Sequence, residues 1–176
     1  MCIRDRILTL AWTLKSMTDS LGAAEYVSGV VANSAAGLQQ LLPAIIFIVA
    51  AFLAFATGTS WGTFGILIPI CIAVFPAAEP LRIISISACM AGAVCGDHIS
   101  PISDTTIMAS AGAECKHVHH VSSQLPYALT VATVSFITFL VAGFTQQLGI
   151  FGSAVVSWIC GISLLAGALY VLKKKF

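Results

Sequence analysis

The chain has 176 residues, of which 59% are hydrophobic and only 9% are charged, with a formal net charge of +1. Soluble domains carry roughly 25% charged residues, so this composition excludes an ordinary soluble domain and indicates a protein surrounded by lipid. A charge so close to neutral also gives no field that would attract nucleic acid. The six cysteines form no C-x-x-C pair, so we predict neither a disulfide framework nor a zinc site.

The N-terminal segment divides into two parts. Residues 1–6 do not fit the apolar pattern that follows, and we interpret them as a non-native start. We interpret residues 7–176 as a single transmembrane domain. Its first apolar stretch, 7–31, is interrupted by polar residues that include Lys15 and Asp19. Their i, i+4 spacing would allow a pair on one helix face, or a place along an ion path.

A polar island at 57–63 (TGTSWGT) lies between the apolar segments 41–56 and 64–75. A helix needs about 20 apolar residues to cross a bilayer, and both segments are shorter. These lengths favour a re-entrant hairpin with its turn near residues 58–62, although two thin spans fit the charge pattern equally well. A plain turn is the simpler alternative. The island also contains G-x-S-x-G around Ser60, but a serine hydrolase needs a strand-to-helix turn there, whereas the flanks are apolar helices.

The most informative stretch is 96–104 (GDHISPISD), which separates the apolar segments 83–95 and 105–113. Pro101 lacks an amide donor and disfavours helix at Ser100, so we predict an unwound stretch between two half-helices. Irregular backbone at membrane depth is tolerated only within protein or beside a water-filled cavity, and charges there usually serve function. An extramembrane loop between two short helices is the alternative.

The two polar islands are rich in oxygen ligands. Carboxylates, hydroxyls and freed carbonyls suit a small hard cation such as Na⁺, and a carboxylate that holds Na⁺ can hold a proton instead. We predict Asp97 and Asp104 as the carboxylates that bind Na⁺ or H⁺. Supporting oxygen atoms would come from Ser100, Ser103, Thr105, Thr57, Thr59 and Ser60. This chemistry is that of a transporter with no cofactor, and not that of an enzyme.

Four metal-ligating side chains follow the second island: Cys115, His117, His119 and His120. Their spacing lacks a second ligand pair, so we favour a polar cytoplasmic connector over a metal site. A pH-sensing role for the histidines stays open, because imidazole titrates near neutral pH.

Two further runs, 124–144 and 150–172, are long enough to cross a bilayer as helices. Three lysines, Lys173, Lys174 and Lys175, close the last run, so the positive-inside rule predicts a cytoplasmic C-terminus. The sequence therefore predicts an all-α, multi-pass protein of the cell membrane.

The motifs TGTSWGTFG at 57–65, GDHISPISDTTIMAS at 96–110 and VSSQLPYA at 121–128 resemble the NhaC family of sodium/proton antiporters. The segment LAWTLKSMTDSLGAAEYV at 10–27 extends this resemblance over nearly the whole chain. The resemblance implies the C-terminal portion of a longer carrier of the ion-transporter clan. The chain would then be one half of an inverted-repeat transporter, with a re-entrant hairpin followed by a broken helix.

The function implied by the resemblance is export of Na⁺ driven by inward flow of H⁺. The missing N-terminal half of the same carrier would be the main partner, and a homodimer stays open. Three rival functions also stay open, namely a carboxylate exchanger of the malate/lactate type, a membrane-bound hydrolase and a membrane scaffold that does not transport. A carboxylate exchanger would be favoured by basic side chains near the polar islands, and the sequence has none there.

Overall fold

The structure, a computed structural model, describes residues 36–75 and 79–175, with six residues between 13 and 22. Residues 1–6, Lys15 and Asp19 lie outside the described residues, so the interpretations given to them stay predictions. The described elements, in chain order, are α1 (Ala36–Thr57), α2 (Ser60–Val74), α3 (Pro80–Ile99), α4 (Asp104–Gly112), α5 (His117–Phe144), a 3₁₀ turn (Gln146–Leu148) and α6 (Gly149–Lys175).

Four helical segments are long and apolar enough to cross a membrane: Gln39–Thr57, Pro80–Ile99, His117–Phe144 and Gln146–Val171. The apolar helix α2, with 15 residues, is shorter. The all-α, multi-pass architecture predicted from composition is thereby confirmed for the described part of the chain.

Helices α1 and α3 make the most extensive contact in the structure. A Cβ atom at Gly92 would overlap the carbonyl oxygen of Phe47, and one at Gly96 would overlap that of Ala51. Since the contacts advance in the same order along both helices, α1 and α3 run parallel. The G-x-x-x-G spacing in α3 thus serves close helix packing, which is its usual role in lipid.

Helix α2 returns alongside α3 and completes a small core. This core consists of small side chains, Ala50, Ala54, Cys71, Cys89 and Ala93. The two cysteines are free thiols and pack here as small apolar residues.

Helix α5 runs antiparallel to α1. The rings of Phe47 and Phe139 lie 5.6 Å apart, and a Cβ atom at Gly143 would overlap the carbonyl oxygen of Gln40. Helix α6 then turns back along α5, where the Ser153 hydroxyl donates to the carbonyl oxygen of Ala142 at 3.1 Å.

Two helices begin earlier than the apolar runs predicted. Helix α1 begins at Ala36 and has 22 residues, so it is long enough to cross a bilayer, and of the two helices that flank the first polar island α2 alone is short for a span. Helix α5 begins at His117, so residues 117–123 are helical, and their cytoplasmic position stays a prediction. The reason is that a polar first turn still forms backbone hydrogen bonds, such as that from His120 N to Lys116 O at 3.0 Å.

Candidate functional site

The backbone between α3 and α4 is extended at Ser100 and Ser103, which flank a turn at residues 101–102. Ser100 has φ −70° and ψ 127°, and Ser103 has φ −68° and ψ 136°. The amide of Ser100 donates to the carbonyl oxygens of Gly96 and Asp97, at 3.1 Å each, and closes the last turn of α3. Residues 100–103 therefore connect two helices through a turn, in which the amide of Ser103 donates to the carbonyl oxygen of Ser100 at 3.4 Å, and Pro101 disfavours continuous helix there.

Asp97 lies in the last turns of α3 and is only 4% exposed. Its Oδ1 accepts a hydrogen bond from the Ser103 hydroxyl at 2.7 Å, and its Oδ2 accepts one from the Thr105 hydroxyl at 3.3 Å. The two hydroxyl oxygens are themselves 2.7 Å apart. These three side chains form a compact oxygen cluster, which we call the Asp97 cluster.

The N-terminus of α4 lies beside this carboxylate. Ser103 is the N-cap of α4, and its hydroxyl oxygen accepts from the amide of Thr105 at 3.2 Å. A helix N-terminus carries a partial positive charge from its unpaired amides. The carboxylate of Asp97 is therefore contacted by two hydroxyls and lies at the end of a helix, with no Lys or Arg paired to it among the described side chains.

The two polar islands meet in the structure. The Ser100 hydroxyl donates to the carbonyl oxygen of Phe55 at 2.8 Å, near the end of α1. Gly58 has a positive φ of 67°, and a Cβ atom there would lie 2.9 Å from the carbonyl oxygen of Ile102. Glycine is thus required twice over at this turn, by its backbone conformation and by its neighbour.

The hydroxyls of the first island serve the turn itself. Thr57 donates to the carbonyl oxygen of Leu53 at 2.8 Å, and the hydroxyl oxygen of Thr59 accepts from the amide of Gly62 at 3.5 Å as the N-cap of α2. Ser60 is the first residue of α2. The structure thus places Thr57, Thr59 and Ser60 outside the Asp97 cluster.

Asp104 differs from Asp97 in burial. It is the first residue of α4 and is exposed, and no hydrogen bond or ion pair of its carboxylate occurs among the described residues. Of the two predicted carboxylates, the structure therefore buries one.

Two residues of α5 that the sequence interpretation did not assign to the site contact the interrupted stretch. His117 Nε2 lies 2.7 Å from the carbonyl oxygen of Pro101, and Gln124 Nε2 donates to the carbonyl oxygen of His98 at 2.9 Å. Their spacing of seven residues, about two helical turns, puts both on one face of α5. Polar residues on one face at the start of an otherwise apolar helix were the sequence signal that could have indicated these contacts.

The described residues form neither a metal centre nor the turn of a serine hydrolase. No group of three or more metal-ligating side chains occurs among the described residues, and Cys115 is exposed. Ser60 is the first residue of α2 and follows helix α1, whereas a hydrolase nucleophile requires a strand-to-helix turn.

A buried carboxylate at an interruption between apolar helices is typical of a membrane transporter. Residues 5–144 match the Na⁺/H⁺ antiporter family, and the chain belongs to that family. No solved structure matches the chain.

Three curated relatives are similar to the chain in sequence. An uncharacterized protein of Haemophilus influenzae is 46% identical over 96% of this chain and 31% of its own length. The malate-2H⁺/Na⁺-lactate antiporter of Bacillus subtilis is 34% identical over 61% of this chain and 24% of its own length. The arginine/ornithine antiporter of Halobacterium salinarum is 33% identical over 64% of this chain and 24% of its own length. The chain thus spans about a third or less of the length of each of these relatives.

Proposed function

We propose that the chain is the C-terminal portion of an NhaC-type carrier that exchanges Na⁺ for H⁺ across the cell membrane. The observation that supports this proposal is the Asp97 cluster, in which a buried carboxylate is surrounded by hydroxyls and not by basic side chains. The two hydroxyls can donate to the carboxylate, or turn their lone pairs to a cation that it holds. A proton on the same carboxylate would displace the cation, which is the elementary step of antiport.

The relatives support a second candidate, exchange of an organic ion. Two of them are named as antiporters of malate and lactate or of arginine and ornithine. A helix N-terminus such as that of α4 can hold a carboxylate group without a basic side chain. The membership in the Na⁺/H⁺ antiporter family and the small, oxygen-only Asp97 cluster favour the inorganic cation.

Everted vesicles that contain the complete carrier distinguish these substrates. We expect added Na⁺ to dissipate a pre-formed proton gradient, because Na⁺ entering the vesicle is exchanged for H⁺. Malate, lactate, arginine and ornithine, each added without Na⁺, should leave the gradient unchanged. A gradient that responds to one of these organic ions and not to Na⁺ would contradict the Na⁺/H⁺ proposal and establish the second candidate.

We further propose that α1 and α2 form a re-entrant hairpin and that α3 and α4 are halves of one interrupted membrane element. The shortness of α2 and the contact of Gly58 with Ile102 support this arrangement. The two elements would be one repeat of an inverted pair, with the other repeat in the preceding part of the carrier. In this topology the C-terminus is cytoplasmic.

The depth of the hairpin turn tests the arrangement. In the complete carrier, a cysteine at Ser60→Cys should react slowly with a bulky membrane-impermeant maleimide from either side, and faster with a small permeant one. Rapid labelling by the impermeant reagent from the side opposite to the start of α1 would show that α1 crosses the membrane and that the turn is a surface loop.

A further inference from the structure

We infer that His117 and Gln124 of α5 are positioning residues that hold the interrupted stretch in place through its carbonyl groups. The inference rests on the proposed function for its transport measurement and on the hydrogen-bond geometry for the rest. It gives α5 a part in the site, although none of its residues belongs to the Asp97 cluster.

The carbonyl groups freed by the interruption need partners, because the last four carbonyls of a helix lack intrahelical donors. Gly96 and Asp97 bond the amide of Ser100. The carbonyls of His98 and Pro101 have side-chain donors from α5. The Thr106 hydroxyl adds a longer bond of 3.4 Å to the carbonyl oxygen of His98. Both carbonyls that α5 reaches therefore have at least one hydrogen-bond donor.

The contact of His117 defines its hydrogen positions. A carbonyl oxygen only accepts, so Nε2 of His117 carries the hydrogen that it donates to Pro101. Its Nδ1 lies 3.0 Å from the hydroxyl oxygen of Ser110, near the end of α4, and the single hydrogen of that hydroxyl can point to this nitrogen or to the carbonyl oxygen of Ile107, 2.9 Å away. His117 thereby links α4, the interrupted stretch and the first turn of α5 in one hydrogen-bonded chain.

The consequence concerns Ser103, which is two residues from Pro101. If the carbonyl of Pro101 is released, residues 100–103 lose a restraint on the side facing α5. Ser103 and Thr105 then depart more often from Asp97, and the cluster binds its ion more weakly. His117 is expected to act on the site through this backbone and not by touching the ion.

The test uses two readouts in the complete carrier. The first readout is the rate at which a cysteine introduced by Ile102→Cys reacts with a maleimide, at a position that is 60% exposed. The second is the kinetics of Na⁺-driven exchange, measured as separate values of KM for Na⁺ and maximal rate. His117→Leu removes the donor, whereas His117→Gln keeps an N–H at a similar reach. His119→Leu is the matched control, because His119 is exposed and its side chain makes no hydrogen bond within the described residues.

We expect His117→Leu to raise both the labelling rate and the KM for Na⁺ by about fivefold to tenfold, the usual effect of one lost hydrogen bond. His117→Gln should restore both values, and His119→Leu should change neither. Because labelling needs no transported ion, its result stands even if the carrier moves an organic substrate.

Unchanged labelling in His117→Leu, equal effects of His117→Leu and His119→Leu, or failure of His117→Gln to restore the values would each overturn the inference. If His117→Leu does not accumulate in the membrane, Gln124→Leu replaces it, with Gln124→Glu as the variant that keeps the shape and loses the donor. Normal labelling in both of those variants would likewise overturn it.

Discussion

Asp97→Asn is expected to abolish Na⁺-dependent proton movement in everted vesicles that contain the complete carrier. An amide has nearly the shape of the carboxylate and can still bond Ser103 and Thr105, so the fold should be retained. It carries no negative charge for Na⁺ and cannot exchange a proton at neutral pH. The measurement is the dissipation of a pre-formed proton gradient on addition of Na⁺, at equal amounts of carrier in the membrane.

Asp104→Asn is the matched comparison for this prediction. The sequence alone predicts an equal loss for both carboxylates, since both lie in the same polar stretch. The structure predicts a smaller loss for Asp104, which is exposed and at the start of α4, than for Asp97, which is buried. Near-normal exchange in Asp97→Asn would show that its carboxylate is structural and would remove the Asp97 cluster as the ion site.

The interruption after α3 could be predicted from the sequence because its cause is local. Pro101 restricts its own backbone and that of Ser100, whatever the rest of the chain does. The close packing of α3 at Gly92 and Gly96 was predictable for a similar reason, since the G-x-x-x-G spacing creates a groove on one helix face.

The partners of the interruption could not be predicted in this way. The bond from Ser100 to Phe55 joins residues 45 apart in the chain, and that from Gln124 to His98 joins residues 26 apart. Such contacts depend on how α1, α3 and α5 pack against one another, and this packing cannot be predicted from a local sequence pattern. The same holds for the six supporting hydroxyls of the two polar islands. The sequence gives all six the same role, and only the fold separates Ser103 and Thr105 from Thr57, Thr59 and Ser60.

The apparent affinity for Na⁺ should fall as pH falls, if Na⁺ and H⁺ compete for the carboxylate of Asp97. Binding linkage is reciprocal, so a proton that excludes Na⁺ is itself excluded by Na⁺. At pH values where the empty carboxylate is mostly protonated, each further unit of pH lost weakens Na⁺ binding by about tenfold for one displaced proton. At pH values where the carboxylate is already ionised, the affinity should be constant.

The measurement is the Na⁺ concentration that gives half-maximal exchange, determined at a series of pH values in the complete carrier. Asp104→Asn serves as the comparison, because a single competing site at Asp97 predicts the same slope of affinity against pH in this variant and in the unaltered carrier. An affinity that is constant between about pH 6 and pH 9 would remove direct competition from that range. An affinity that stays constant down to the lowest pH at which the carrier is active would contradict competition altogether. Separate sites for the two ions would then explain the exchange better, since they do not require a proton and a cation to share one buried carboxylate.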